Sequence, residues 1–332
     1  MAKKKNQRAS ANRRQQKLAR RKKRQHSNAP RVQHTKPDVD PQAARMDMER
    51  SLRGVNKLLE GQDFDSVDEI NAFLQSQLVG GKAPEFVPET PEEEAQEIMY
   101  EAWQTEDPRQ RVALARQAIE IDADCVDAYV LLAEETAGSV ADAKKLYADG
   151  VRAGERALGA DFFEENEGHF WGITETRPYM RARMGLADCC WSLGQHADAI
   201  EHYQEMLRLN PGDNQGVRYL LLTCLLESKE DDKAKELLDQ FDDDAMASWH
   251  YSRALWTFRQ FGDREIARDE LATALEQNSF VPAYLLGEKG LPRQRPEYIE
   301  WGGESEAVEY AASAIQLWKE TPGALKWLSD NL

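Results

Sequence analysis

Cysteine is scarce in this sequence, and long apolar runs are absent from it. The 332 residues include four cysteines and no C-x-x-C pattern, which excludes a disulfide framework and argues against a structural zinc site. No apolar stretch approaches the roughly 18 residues of a membrane-spanning helix. The first residues are polar and basic, without the apolar segment of a secretory signal. We therefore expect no membrane span and a cytoplasmic protein. In a eukaryote, the basic run at 20–24 would also indicate nuclear import.

Motifs that carry chemistry are also missing. The sequence contains no GxxxxGK[ST] or GxGxxG phosphate loop and no GxSxG nucleophile motif. His196 and His202 are six residues apart on a predicted helix, so they do not share a face. Cys189 and Cys190 fall where a repeat core needs small residues, which predicts buried, unreactive thiols. We expect no catalytic residue, no metal and no cofactor.

Acidic residues are absent from residues 1–37, which hold 14 of the 43 Lys+Arg. The remainder carries 29 basic and 59 acidic residues, a net charge of −30. Self-repulsion and the lack of large apolar side chains predict a disordered tail over 1–42. Lysine and arginine release counterions when they meet phosphates, so residues 1–36 are expected to bind a polyanion such as nucleic acid, the ribosome or an anionic membrane. The alternative is that the tail lies against the acidic body. The residues predicted to bind the polyanion are Lys3, Lys4, Lys5, Arg13, Arg14, Arg20, Arg21, Lys22, Lys23 and Arg24.

The rest of the chain shows the periodicity of helices, without an alternating strand pattern. A short helical segment and linker are predicted over 43–89. Thr90 followed by Pro91 and Glu93 predicts the start of a longer helix, with Thr90 as the cap. Ser66 and Glu69 form the same capping pattern one helix earlier.

Internal repeats indicate the fold. Residues 180–213 match the 34-residue tetratricopeptide pattern, in which two helices cross at small residues and a glycine turns the chain between them. Ala187 and Ala199 are the small residues, Gly194 is the turn and Tyr203 fills the space between the helices. Four further units keep this register less closely between about 92 and 281. We predict an all-α, tetratricopeptide-like α-solenoid, a right-handed superhelix of helix pairs, because stacking covers the apolar face that each pair leaves open.

Two segments interrupt the repeats. The first is an aromatic and acidic insertion at 158–178, which holds His169 and Trp171. Connecting segments often carry function; His169 and its neighbouring glutamates are metal-ligating residue types, but their spacing matches no metalloprotease motif. The second is 282–332, predicted to be capping helices that seal the end of the solenoid with Trp318, Leu325, Trp327 and Leu328. The repeats are predicted to occupy 90–281.

These two segments also carry a resemblance. The pattern PxYLL…GxxEAxxYA…W…GAL over 282–325 resembles the ending of the suppression-of-tumorigenicity-seven family. The run from Glu164 to Arg183 is similar to one found in prokaryotic repeat proteins. The resemblance covers roughly 90–332 and implies a repeat fold without established chemistry, so it transfers no catalytic residue. Membrane spans associated with the eukaryotic members are not carried over.

A groove on the first helices is the expected binding surface. In repeats of this class, positions 2, 5, 9 and 12 of each first helix usually face the groove. An arginine–aromatic groove would suit an acidic peptide or a carboxylate, unless the arginines pair internally with neighbouring glutamates. Two functions remain open. One is a non-enzymatic scaffold whose groove binds a protein partner. The other is a nucleic-acid- or ribosome-associated protein with a regulatory or dimerising solenoid. The predicted groove residues are Arg181, Asn214, Arg218, Trp249, Trp256 and Arg259.

Overall fold

The structure is a computed structural model that describes residues 41–77, 86–296 and 298–332. Those residues form sixteen α-helices and two short 3-10 turns, and they contain no β-strand. The chain divides into residues 1–44 and 45–332, and the helices of the repeats pack within the second unit. The helices are α1 (Pro41–Leu59), α2 (Val67–Gln77), α3 (Pro91–Gln104), α4 (Pro108–Ile121), α5 (Val126–Thr136), α6 (Val140–Leu158), α7 (Ala160–Glu165), α8 (Arg177–Ser192), α9 (His196–Leu209), α10 (Val217–Glu227), α11 (Asp231–Gln240), α12 (Ala247–Phe261), α13 (Glu265–Gln277), α14 (Val281–Leu285), α15 (Glu304–Glu320) and α16 (Ala324–Asp330).

Helices α2 and α3 begin at the predicted caps. The backbone N–H of Glu93 donates to the Thr90 hydroxyl at 3.2 Å, and the Glu93 carboxylate accepts from the backbone N–H of Glu89 at 2.6 Å. At the start of α2, the backbone N–H of Glu69 donates to the Ser66 hydroxyl at 3.2 Å. Each cap satisfies an amide that the first helical turn leaves without a partner. Both capping predictions are confirmed.

The helix pair α8 and α9 is the repeat that the sequence predicts best. Gly194 has φ = +74°, in the left-handed region that favours glycine, and it turns the chain between the two helices. Ala187 and Ala199 are fully buried where the helices meet, and Tyr203 is buried beside them. The predicted roles of these four residues are confirmed.

Successive helix pairs pack side by side along the chain. The pairs are α3 with α4, α5 with α6, α8 with α9, α10 with α11, and α12 with α13, and the second helix of each of the first four also contacts the helix that opens the next pair. One continuous apolar core runs through the stack. An apolar face that a single pair leaves open is thereby covered by its neighbour. The predicted all-α, tetratricopeptide-like solenoid is confirmed.

Helix α6 lies unusually close to its neighbours α5 and α8, because it presents glycine at the contact. A Cβ atom built on Gly154 would lie 2.8 Å from the ring of Tyr179, and one on Gly150 would lie 3.1 Å from the Cβ of Tyr129. Tyr179 is itself buried. The two glycines are one helical turn apart and therefore share a face.

The insertion at 158–178 folds back onto the stack through its aromatic residues. It contains α7 and two 3-10 turns, and Phe170 is fully buried. The ring of Phe170 lies 6.0 Å from that of Phe162, 5.0 Å from that of Phe163 and 6.2 Å from that of Tyr179. The cluster joins the insertion to the start of α8.

Helix α15 packs on α10 and α12, and α16 packs on α12 and α15. Trp318 and Leu328 are fully buried, and Trp327 stacks on Phe258 with ring centroids 4.5 Å apart. The aromatic residues predicted to seal this end of the stack are therefore buried. The segment boundaries at 42, 89 and 281 remain predictions, and most of the predicted linker lies outside the described residues.

Helix α1 lies antiparallel to α3. Asp47 accepts a hydrogen bond from Gln104, Arg50 pairs with Glu97 at 2.7 Å, and the Lys57 Nζ lies 2.9 Å from Glu93. Residue numbers rise along α1 as they fall along α3, which sets the direction. Helix α1 agrees with the helical segment predicted within 43–89, but its position against the repeats was not predicted.

Candidate interaction face of the first helices

The candidate site is the side of the stack formed by the first helix of each pair, α3, α5, α8, α10 and α12, and we call it the first-helix face. Arg181, on the first turns of α8, lies at its centre. Its Nη1 and Nη2 each donate to a different oxygen of Glu49 at 2.9 Å. Its Nε and Nη2 donate to the two oxygens of Asp127 at 2.9 and 2.6 Å. One guanidinium therefore binds two carboxylates, one from α1 and one from α5.

This cluster is deeply buried. Asp127 is fully buried, and Glu49 is 4% exposed. The Gln96 amide donates to Asp127 at 2.9 Å, and the Tyr100 hydroxyl lies 3.4 Å from Glu49. A charge taken out of water is tolerated only when it is paired and hydrogen-bonded, and each carboxylate here has both kinds of partner. We call Glu49, Asp127, Arg181, Gln96 and Tyr100 the Arg181 cluster.

The pKa shifts in this cluster follow from burial and charge. Burial acts to lower the pKa of Arg181, but the carboxylates of Asp127 and Glu49 outweigh it and raise that pKa further above its ordinary value. Burial, then the negative charge of Glu49, raises the pKa of Tyr100. The guanidinium of Arg181 thus stays charged and the phenol of Tyr100 stays neutral near neutral pH.

The alternative of internal pairing therefore describes Arg181, although with other partners than expected. The predicted partners were neighbouring glutamates, whereas the nearby Glu167, in the insertion, bonds to Arg208. Arg177 donates to the Trp171 carbonyl at 3.2 Å and lies 3.8 Å from Glu49. Sequence analysis missed Glu49. The sequence gives one indication of the Asp127–Arg181 pair: the two residues have opposite charges, and both stand at position 2 of their repeat units.

Arg218 on α10 forms a second internal cluster. Its Nε donates to Asp244 at 2.7 Å and its Nη1 donates to Asp213 at 3.0 Å. The Asp213 carboxylate also accepts from the backbone N–H groups of Val217 at 2.7 Å and of Arg218 at 3.0 Å, so it caps α10 as well. The guanidinium lies 4.5 Å from the centre of the Tyr219 ring. Arg218 is therefore paired with carboxylates of its own chain.

The predicted groove tryptophans on α12 belong to the core. Trp249 is fully buried, with its ring 5.8 Å from that of Tyr219 and 6.0 Å from that of Phe241. Trp256 is 9% exposed, and its Nε1 donates to the carbonyl of Asp231 at 2.9 Å. Neither ring presents a surface that a partner can reach in this structure.

Arg259 and Asn214 differ in their exposure. Arg259 donates to the carbonyl of Leu226 at 2.7 Å and pairs with Asp231 at 2.9 Å. Asn214 precedes α10 and is exposed. Of the six predicted groove residues, five are thus buried or paired within the chain, and Asn214 remains accessible.

Helix α15 covers the first-helix face at α10 and α12. Glu306, 3% exposed, accepts from the backbone N–H of Ala247 at 2.9 Å and thereby caps α12. Its other oxygen accepts from the side-chain amide of Asn278 at 2.9 Å. At the other end of α15, Leu317 and Glu320 line one cleft together with residues of α10 and α12. Helices of the chain itself therefore cover parts of this face from both directions: α1 bonds to α3 and α8, and α15 packs on α10 and α12.

The predicted insertion-loop residues lie near the surface. His169 is exposed, and Trp171 is half-buried with the Arg177 guanidinium 5.2 Å from the ring centre. Within the described parts of the chain, no group of three or more His, Cys, Asp or Glu side chains is placed to hold a metal ion. His169 and the glutamates near it are thus not brought together as ligands.

All four cysteines are free and buried. Burial raises the pKa of the Cys125 and Cys224 thiols to about 12, and it also raises the pKa of Cys189 and Cys190. A thiol must ionise to act as a nucleophile, so these groups are unreactive near neutral pH. The predicted burial of Cys189 and Cys190 is confirmed. The predicted polyanion-binding residues of the tail lie outside the described residues.

Stacked helix pairs of this length, with glycine turns and small residues at the crossings, define a tetratricopeptide-like repeat protein. Residues 86–331 match the family model described as ST7 protein, and the chain belongs to this family, which confirms the resemblance inferred from its sequence.

Individual relatives agree with the family match. The chain is 32% identical over 255 residues to the "Suppressor of tumorigenicity 7 protein-like" of Rattus norvegicus, covering 70% of this chain and 45% of that protein. It is 29% identical over 258 residues to the "Protein ST7 homolog" of Drosophila melanogaster, covering 71% of this chain and 48% of that one. The chain thus spans about half the length of the curated relatives it matches.

Among solved structures, the chain is similar to one titled "Crystal structure of YrrB: a TPR protein with an unusual peptide-binding site", with a TM-score of 0.38 and 20% sequence identity. The similarity covers 51% of this chain and 77% of that one. Among the described residues, no helix combines the length and the apolar character needed to cross a bilayer.

Proposed function

We propose that this chain is a non-enzymatic interaction scaffold, in which the helix stack binds a protein partner and the basic residues near the N-terminus bind a polyanion. Helix α1 carries the first half of this proposal. It lies on α3 and reaches α5 and α8 through Arg181, so the first-helix face already holds one helix. Helix-in-groove binding is a common mode of peptide recognition.

Charge distribution supports the second half. Residues 1–37 carry 14 Lys+Arg and no acid, whereas the rest of the chain has a net charge of −30. Phosphate binding by such a segment is driven by counterion release, while an acidic body repels the same phosphates. The two activities are therefore expected to reside in separate parts of one chain.

Chemistry of the side chains favours a binding role over a catalytic one. The thiols are buried with raised pKa values, and burial lowers the pKa of His202 and His250, which leaves both imidazoles neutral at pH 7. Arg181 and Arg218 of the first-helix face form ion pairs within the chain. The four thiols thus lie in the core and these arginines in internal pairs, which favours binding over catalysis.

The polyanion half is tested by titrating the full chain into a labelled 20-nucleotide single-stranded RNA at several salt concentrations. The comparison is a full-length variant in which the ten predicted tail residues are changed to Gln. We expect affinity to fall about tenfold or more at low salt, and the slope of log K against log salt to lose about 0.7 for each phosphate contact removed. Unchanged affinity would contradict the tail as the binding segment.

A matched pair of triple variants separates the tail from general charge. Lys3, Lys4 and Lys5 changed to Gln should weaken RNA binding measurably. The same change at three exposed body lysines should not; those lysines are Lys145, Lys233 and Lys326. Equal loss in both would favour a non-specific effect of net charge. If the wild-type chain dimerises on RNA, the second function, a nucleic-acid-associated protein with a dimerising solenoid, would be favoured instead.

A further inference from the structure

We propose that the part of the first-helix face formed by α3, α5 and α8 is a receptor for an amphipathic helix of a partner protein, and that α1 occupies it as an intramolecular competitor. This inference rests on the proposed scaffold function and specifies the partner's chemistry. The partner helix presents a carboxylate to Arg181, as Glu49 does now.

Charge balance in the Arg181 cluster requires such a carboxylate. Without α1, Arg181 would keep Asp127 as its one paired acid, and Arg177 would lose the carboxylate that lies 3.8 Å from it. Glu49 supplies the missing charge, at 2.9 Å from Arg181 and 3.8 Å from Arg177. A buried charge left without a partner is strongly unfavourable, so a vacated face would attract another carboxylate.

Acidic residues of α3 set the register of the bound helix. Glu97 pairs with Arg50 at 2.7 Å, and Glu93 pairs with Lys57 at 2.9 Å. A helix that fits this face therefore has a buried carboxylate and a basic residue directly after it. A second basic residue follows eight positions after the carboxylate. In α1 the apolar anchor is Met46, three residues before Glu49 and 6% exposed.

Helix α1 has the character of an exchangeable ligand rather than of a core helix. Its contacts with the stack are mainly ion pairs and hydrogen bonds, and Met46 is the one apolar residue among residues 42–59 that is buried. Met48 is 67% exposed. Polar interfaces of this kind confer specificity more than affinity. In addition, α1 lies outside the family-matched range of 86–331.

The connection from α1 to α3 spans residues 60–90. A tethered ligand of this kind has an effective concentration in the millimolar range, so a helix added in trans must compete against it. Loosening the tethered helix should therefore reveal the receptor.

A labelled peptide of residues 41–60 is titrated into two full-length chains, the wild type and Glu49→Arg. In the variant, α1 carries a positive charge toward Arg177 and Arg181 and is expected to leave the face. We expect the peptide to bind the variant about tenfold or more tightly than the wild type, because the tethered competitor is gone. Equal binding to both chains, or no binding to the variant, would overturn the proposal.

Peptide variants serve as matched controls. A peptide with Glu49→Arg should not bind, whereas one with Met48→Ala, altered on the exposed side of the helix, should bind like the wild type. Loss of both, or of neither, would also overturn the proposal. Circular dichroism establishes that the Glu49→Arg chain remains folded, and Glu49→Gln replaces it if it does not.

Two further outcomes are distinguishable. A wild-type chain that dimerises by exchanging α1 would assign the face to self-association and would overturn the partner-helix proposal. Peptide binding that fails while RNA binding persists would reject this inference and leave the polyanion activity of the proposed function standing.

Discussion

Arg181 illustrates how a residue expected to meet a partner can be used by the fold itself. Its five donors suit two carboxylates held at fixed angles, and the structure supplies both, from α1 and α5. From sequence, the preference of Arg181 for carboxylates could be inferred correctly. The identity of those carboxylates could not, because Glu49 is 132 residues away and no periodicity links it to the repeats.

At this scale, Arg181→Met should destabilise the protein by about 3–5 kcal/mol, since it leaves two buried carboxylates, Glu49 and Asp127, without their main cation. Urea denaturation followed by circular dichroism measures the change. The control is Arg268→Met. Arg268 donates two hydrogen bonds to Asp263, at 2.6 and 2.8 Å, and this pair is exposed to solvent. The exposed pair should contribute far less to stability, because water screens its two charges. Similar losses in the two variants would contradict the special role of burial.

Among the helices, α6 is the one whose close packing depends most clearly on residues without a side chain. Gly150 and Gly154 let α5 and α8 approach it, and the second faces the buried ring of Tyr179. The sequence predicted small residues at the helix crossings of the clearest repeat. It did not single out these two glycines, because glycine inside a helix carries no periodic signal and is usually unfavourable there.

Substituting Gly154 by alanine should therefore destabilise the protein, despite the higher helix propensity of alanine. The new methyl group would meet the Tyr179 ring at 2.8 Å, and overpacking of this kind costs about 1–3 kcal/mol. Thermal and urea unfolding measure the difference. Gly138→Ala is the matched control, since nothing lies within 4 Å of the added Cβ there. If Gly154→Ala were as stable as this control or more so, the close approach would not limit the packing.

Across the whole molecule, local patterns predicted the pairs, whereas they did not predict long-range docking. Caps, the Gly194 turn and the alanine crossings each depend on residues close in sequence, so the repeat fold could be inferred. The placement of α1 and α15 over the first-helix face depends on contacts such as Glu49 with Arg181 and Glu306 with Ala247, which join distant segments. Trp249 and Trp256 consequently appeared to be groove residues and are core residues instead.

The chain covers its own first-helix face with α1 and α15. Hydrogen exchange of the full-length protein tests this most directly. Amides of residues 45–59 should be protected in the wild type and should exchange rapidly in Glu49→Arg, while α5 and α8 keep most of their protection. Rapid exchange of 45–59 already in the wild type, or protection unaffected by the substitution, would contradict the claim.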